Sequence, residues 1–264
     1  MFSLAEPESS AEPKSRFTSR VGNYVRYRPG YPAALLELLR GPWGLSRETV
    51  IADVGSGTGL LSRLFLANGN EVFGIEPNAA MREAGEAYLA EFRGFRFHSV
   101  PGSAEATTLP DASVDAVVAG QAFHWFEPVA TRAEFRRVLR REGWLALIWN
   151  ERRLEGSDFL QDYERLLQEF GTDYGRVRET YPTREKMTRF FERADFREDQ
   201  IENGQLIDFD GLRGRLLSAS YAPDKGHPRH EAMLAGLARI FDERQTEGRV
   251  KFEYDTRVYS GRLG

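Results

Sequence analysis

The chain has 264 residues, 41% of them hydrophobic and 29% charged, with 25 glycines and 12 prolines; this is the balance of a folded globular protein rather than a disordered or fibrous one. Its 36 basic and 40 acidic residues give a formal net charge of −4, so no overall field draws nucleic acid or an anionic membrane to it. Cysteine is absent, which excludes disulfides, thiolate nucleophiles and cysteine-bound zinc and fits a reducing compartment such as the cytoplasm.

In chain order, residues 1–16 (MFSLAEPESSAEPKSR) mix acids and prolines and lack the basic start and apolar run of a secretory signal, so they read as a mobile tail. From Thr49 to Trp149 short β-rich runs alternate with helical stretches: VIADV at 50–54, EVFGI at 71–75, FRFHSV at 95–100, VDAVVAG at 114–120 and WLALIW at 144–149. The last is the longest uninterrupted apolar run, far short of the roughly 20 residues that span a bilayer. Leu60, Leu61, Leu64 and Phe65 repeat at one-turn spacing before an Asn68-Gly69 stop. Asn78 caps a second helix through Met81 and Tyr88, and a third starts near Pro128 with Phe135, Val138 and Leu139 on one face. Near-continuous apolar strands joined by helical crossovers predict a parallel sheet covered on both faces, the doubly wound α/β architecture. Beyond Asn150, amphipathic helices are predicted at 158–170 and 184–194, strands near 201–209 and 249–259, and further helix across 211–248. A helical cap is placed at 151–200; for it and for 211–248, extra core helices and a substrate lid stand as equal alternatives.

The chemistry concentrates in Asp53-Val-Gly-Ser-Gly-Thr-Gly59, directly after a strand and before a helix. Alternate glycines let the backbone approach a ligand closely, and the helix start offers free N–H groups. Such a loop lies at the carboxyl ends of the strands, where ligands of doubly wound sheets bind. Glu76 closes the second strand and suits a carboxylate that accepts both hydroxyl protons of a ribose. A dinucleotide fingerprint would need its third glycine at position 60, which is Leu60, so an NAD-dependent oxidoreductase is the second reading. A triphosphate loop would need a lysine, and none occurs from 15 to 185. His227 and His230 share the segment KGHPRH, but Gly226 and Pro228 mark a loop tip and no further ligands stand nearby; no metal is predicted.

These residues resemble the class I S-adenosylmethionine-dependent methyltransferases. DVGSGTG at 53–59 is similar to the family's first motif, Glu76 to its ribose-binding acid, and 102–126 to its adenine-side loop and fourth strand. The likeness is greatest to the methyltransferase type 11 branch that includes trans-aconitate-methyltransferase-like proteins, whose pre-motif resembles YVRYRPGYP at 24–32; it covers residues 17–150. The resemblance implies a Rossmann-like, mostly parallel seven-stranded sheet with helical cap insertions, residues 17–264 forming one domain. It implies S-adenosylmethionine as cofactor, S-adenosylhomocysteine as product and a small-molecule acceptor, in a monomer or homodimer without nucleic-acid or membrane partners.

By the same resemblance, Gly55, Ser56, Gly57 and Gly59 line the methionine part of the cofactor, with Asp53 orienting the loop. Glu76 holds the ribose, Asn78 and Met81 flank the adenine, Ala104 and Glu105 border its other side, and Gln121 lies by the sulfonium. Tyr24, Tyr27 and Arg28 fold over as a lid, Arg28 meeting the methionine carboxylate. Many relatives carry an acid where this chain has Ser103, so Glu105 or a backbone carbonyl takes over that adenine contact. In Phe123-His124-Trp125-Phe126, Phe123 and Trp125 are candidate substrate residues through cation–π contact and His124 a candidate base; core packing is the competing reading for these rings. Arg152 and Arg153 just past the fifth strand, and Arg213 and Arg215 in the later helical region, stand where guanidinium groups could clamp an acidic substrate, but among 36 basic residues that are mostly solvated surface none is singled out as a binding group. A catalytically silent cofactor-binding module is the third functional reading.

Overall fold

The apolar runs flanking the glycine loop become the middle of a sheet. A computed structural model describes residues 27–92, 96–179, 181–192 and 196–264; the expected tail at 1–16 and Tyr24 lie outside them. β1 (Val50–Val54) pairs in parallel with both β2 (Glu71–Ile75) and β4 (Val114–Gly120). β3 (Phe97–Val100) extends the parallel ladder beyond β2, and β5 (Leu139–Arg152) extends it beyond β4. β7 (Val250–Gly261) runs antiparallel between β5 and β6 (Arg197–Ile207), giving a seven-stranded sheet of order β3-β2-β1-β4-β5-β7-β6. This is the doubly wound α/β sheet, mostly parallel, with β7 as its reversed strand.

Successive side chains of a strand face opposite sides, and the central strands are apolar on both. Ala52, Val54, Val117, Ala119, Leu147 and Trp149 enter one core; Ile51, Ala116, Val118, Ala146 and Ile148 enter the other. The second core is closed by α1 (Ala34–Trp43) through Leu35 and Leu39 and by α2 (Leu60–Asn68) through Leu61 and Phe65. Asn78 caps α3 (Ala79–Tyr88), its side chain accepting from Met81 N, and Glu127 caps α4 (Pro128–Val138).

Leu139 does not continue the third helix. It opens β5, opposite Val114, and a register irregularity carries the chain to the Ala116–Trp144 pair. The segment 151–200 divides. α5 (Asp158–Phe170) and α6 (Tyr174–Glu179) stand apart from the sheet core, whereas α7 (Arg184–Phe191) packs into it. Met187, Phe190 and Phe191 lie at i, i+3 and i+4, one helical face, and bury against Phe135, Val138 and Trp149. Residues 197–200, placed in the cap by sequence, belong to β6.

The 211–248 segment forms α8 (Phe209–Leu217) and α9 (His230–Arg244), inserted between β6 and β7. β7 pairs with β5 through 254–261, while 250–252 pair with β6 alone, so the hairpin projects past the sheet. On that projection Phe252 and Tyr254 form a third core with Leu160, Tyr163 and Leu167 of α5, Leu212 and Leu216 of α8, and Met233 and Leu237 of α9. A cap therefore sits at the carboxyl ends of the parallel strands. Among the described residues no helix is long and apolar enough to cross a membrane.

Candidate active site

The loop after β1 and the acid after β2 are bound to each other. Gly55 N and Ser56 N donate to Ile75 O, and Gly57 N donates to Glu76 Oε2 at 3.0 Å. Glu76 Oε1 accepts from Asn78 N at 2.8 Å, and the Asn78 side chain caps α3 at Met81. A single buried carboxylate thus sets the conformation of the glycine loop and of the next helix start. Gly57 (φ 56°) adopts the left-handed region that an L side chain rarely occupies, and a Cβ there would stand 3.4 Å from Met81 Cε.

A cavity of about 640 Å³ opens beside this loop and reaches into the cap. Its wall holds Gly55, Gly57, Glu76, Asn78, Met81, Ala104, Glu105, Gln121, Arg28, His124 and Trp125 of the sequence-derived candidates. Glu105 Oε1 accepts from Glu127 N, tying its loop to the start of α4, and Ser103 is also on the wall. Gln121 directly follows β4 with φ 58°, an uncommon conformation for a residue with a side chain. Its Nε2 donates to Asn150 O, and Asn150 Oδ1 accepts from Thr256 and Asn203. Residues 27–31 cross the open side. Arg28 Nη2 donates to Ser218 O at 3.1 Å, and Gly30 O accepts from Asn150 and Asn203. Tyr27 packs its ring against Gly214 of α8.

Four candidates are placed elsewhere. Asp53 is fully buried and accepts from Ser62 Oγ at 2.6 Å, joining β1 to α2 rather than facing the cavity. Desolvation pushes its carboxyl up to about 7. Ser56 sits over Gly74, away from the cavity wall. Gly59 serves close packing, since a Cβ there would stand 2.6 Å from Leu89 Cδ1. Phe123 is a packing residue, edge-on to Phe126, Trp149 and Phe190; Phe126 is the phenylalanine of that tetrad on the cavity wall.

His124 is on the wall with its ring 4.6 Å from that of Trp125. Burial lowers its pKa to about 4, so the imidazole is neutral near pH 7 and weakened as a base. Trp125 is 48% exposed at the mouth. Sequence reasoning missed the far wall, where Tyr163, Tyr174, Tyr181, Tyr221 and Phe252 meet. No motif marks them, and nothing in helical spacing separates a cavity tyrosine from a core one. Burial raises the phenols of Tyr163, Tyr174 and Tyr181, which keeps them protonated. Of the four weighed arginines, Arg152 and Arg215 reach the cavity; Arg153 pairs with Asp255 and Glu202, and Arg213 is exposed. His227 and His230 are engaged by Arg229 N and Pro223 O, and no cluster of three or more metal-binding side chains occurs among the described residues.

Residues 52–147 match the family model described as "Methyltransferase domain". An uncharacterized methyltransferase of Mycobacterium tuberculosis is 38% identical over 136 residues, 52% of this chain and 52% of the relative. A Saccharomyces cerevisiae protein named as a probable S-adenosylmethionine-dependent methyltransferase is 31% identical over 128 residues, 47% of this chain and 43% of that one. The chain thus spans about half the length of the curated relatives it matches. In fold it is similar to a solved structure named for a type II methyltransferase of Anaeromyxobacter dehalogenans, with TM-score 0.65 and 24% identity over 90% of this chain and 98% of that one.

Proposed function

We propose that the protein, whose residues 52–147 match the methyltransferase domain and which carries a Rossmann-like sheet, transfers a methyl group from S-adenosylmethionine to a small-molecule acceptor enclosed by its cap. The observation that carries this reading is the continuity of one cavity from Gly55, Gly57 and Glu76 to Trp125, Tyr163 and Phe252. The cofactor end fits its group. Gly57 leaves the wall without a side chain, and each Glu76 oxygen, already accepting one backbone N–H, keeps acceptor capacity for a hydroxyl. In this reading Asn78 and Met81 at the head of α3 flank the adenine with Ala104 and Glu105 opposite, and Gln121 and Arg28 meet the methionine part; their shared place on the cavity wall supports it.

S-adenosylmethionine supplies a methyl group on a sulfonium, an activated carbon open to in-line displacement. The chain's own work is then to hold an acceptor close and aligned. The cap walls the acceptor end with aromatic rings. His124 is the candidate base for an acceptor hydroxyl or amine, weakened in that role by its burial, while a carboxylate acceptor, already ionised, needs no base. A cytoplasmic location, and a monomer or homodimer acting without nucleic acid, complete the proposal; the absence of cysteine and the net charge of −4 support the first and the last. Calorimetric titration with S-adenosylhomocysteine beside NADH tests the cofactor, and labelled methyl donor with an acceptor panel tests turnover. Saturable binding of the homocysteine product alone is expected. Binding of NADH instead would refute the proposal, and cofactor binding with no turnover across a broad panel would favour a silent module.

A further inference from the structure

Three arginines line the cavity, and they are not in the same state. Arg152 is paired with Glu164 and donates to Tyr174 Oη at 2.7 Å. Arg28 donates to Ser218 O. The guanidinium of Arg215 makes no hydrogen bond or ion pair among the described residues, and its Nε and Nη1 are buried. The guanidinium stacks on two rings of β7 instead, 4.8 Å from the centre of Phe252 and 4.9 Å from that of Tyr254. Aromatic faces hold a cation in position, but they leave the strong donor capacity of a guanidinium unused, and a desolvated donor without an acceptor is costly.

Among the described residues the acids on or near the wall are engaged elsewhere. Glu151 is paired with Arg257, Glu164 is taken by Arg152, Glu76 serves the glycine loop, and Glu105 accepts from Glu127 N. The phenols of Tyr163 and Tyr254 stay neutral, burial raising both. The cap end of the cavity is thus a cationic fork set in an aromatic box, the complement of a planar apolar body that ends in a carboxylate.

We propose that the methyl acceptor is such a carboxylate-bearing molecule and that Arg215 receives its carboxylate, acting as the specificity residue of the cap. The proposal concerns binding, and it rests on the methyl-transfer reading of the cavity. The test uses benzoate and its uncharged isostere benzamide as probes, titrated calorimetrically into full-length protein saturated with S-adenosylhomocysteine. Wild type should bind benzoate at least about tenfold more tightly than benzamide, the scale of a charge-assisted pair. Arg215→Gln should bring the ratio to about one, and Arg215→Lys should restore part of it. Circular dichroism and an unchanged S-adenosylhomocysteine affinity certify that the variants are folded. Equal affinity for the two probes in wild type, no benzoate binding at millimolar concentration, or a preference that survives in Arg215→Gln would overturn the proposal. Titration with S-adenosylhomocysteine alone decides the cofactor reading, so the two failures are told apart.

Discussion

Glu76→Ala is the sharpest perturbation of the cofactor end. The substitution deletes the acceptors of Gly57 N at 3.0 Å and Asn78 N at 2.8 Å, and it deletes the lone pairs held for a ribose diol. A hydrogen bond to a charged group contributes roughly 1.5–3 kcal/mol, so two such bonds to the ligand are worth roughly 3–6 kcal/mol, about 10²–10⁴-fold in Kd. The protein itself should also lose stability, because two amides at a buried carboxylate are left without acceptors at roughly 1–3 kcal/mol each. Glu76→Gln keeps the shape and one acceptor oxygen, and its loss should be about half as large in free energy. Calorimetry with S-adenosylhomocysteine gives the Kd and thermal denaturation reports the fold. A Kd for folded Glu76→Ala within about threefold of wild type would refute the assignment of this carboxylate to the cofactor.

Asp53→Asn should make stability less sensitive to pH. The buried Asp53 carboxyl is raised to about 7 from an ordinary value of 3.8, so the native state holds a proton that the unfolded chain has lost, and wild type weakens as pH rises through that window. The melting-temperature difference should shift in favour of Asp53→Asn as pH rises from 4 to 8; a difference constant with pH would count against this account. Glu134 behaves oppositely: Arg137, with Thr107 N and Oγ1, lowers its carboxyl to about 2. Its contribution is present above the ordinary value of 4.5 and is lost as pH falls through about 2, so the penalty of Glu134→Gln should shrink on acidification and would be misassigned if it did not. Gly214→Ala would force the Tyr27 ring off α8. Overpacking of this kind costs about 1–3 kcal/mol; the variant should melt lower and bind S-adenosylhomocysteine less tightly as the 27–31 strap and Arg28 are displaced, and unchanged affinity would show that the strap does not shape the site.

Local chemistry in the chain determined the parallel half of the sheet and the cofactor end. Apart from the buried Asp53, VIADV and VDAVVAG are apolar at the positions that become buried, and a glycine loop between strand and helix with an acid at the next strand end leaves few other architectures. Gly55, Gly57, Glu76, Asn78 and Gln121 are close in space because each follows a neighbouring parallel strand or begins the helix after it, so sequence order alone places them at one edge. Gly59 and Ser56 share the motif but lie against Leu89 and Gly74 instead of the cavity, and a motif does not say which of its residues meets the ligand and which the core. Phe123 was open to either reading for the same reason, and contacts with Trp149 and Phe190 decided it.

Only the tertiary structure decided the acceptor end. Tyr163 and Tyr174 follow the fifth strand, Arg215 and Tyr221 come from the insertion between the last two strands, and Phe252 from the reversed strand itself. Their meeting depends on how far the β6–β7 hairpin projects beyond the sheet and on which faces of α5 and α8 pack upon it. An amphipathic pattern specifies that a helix buries one face; it does not specify against what. Arg152 and Arg215 differ in the same way. One ends β5 and the other lies on α8, and only the packed structure gives the first a glutamate and leaves the second stacked on two rings with its donors unspent.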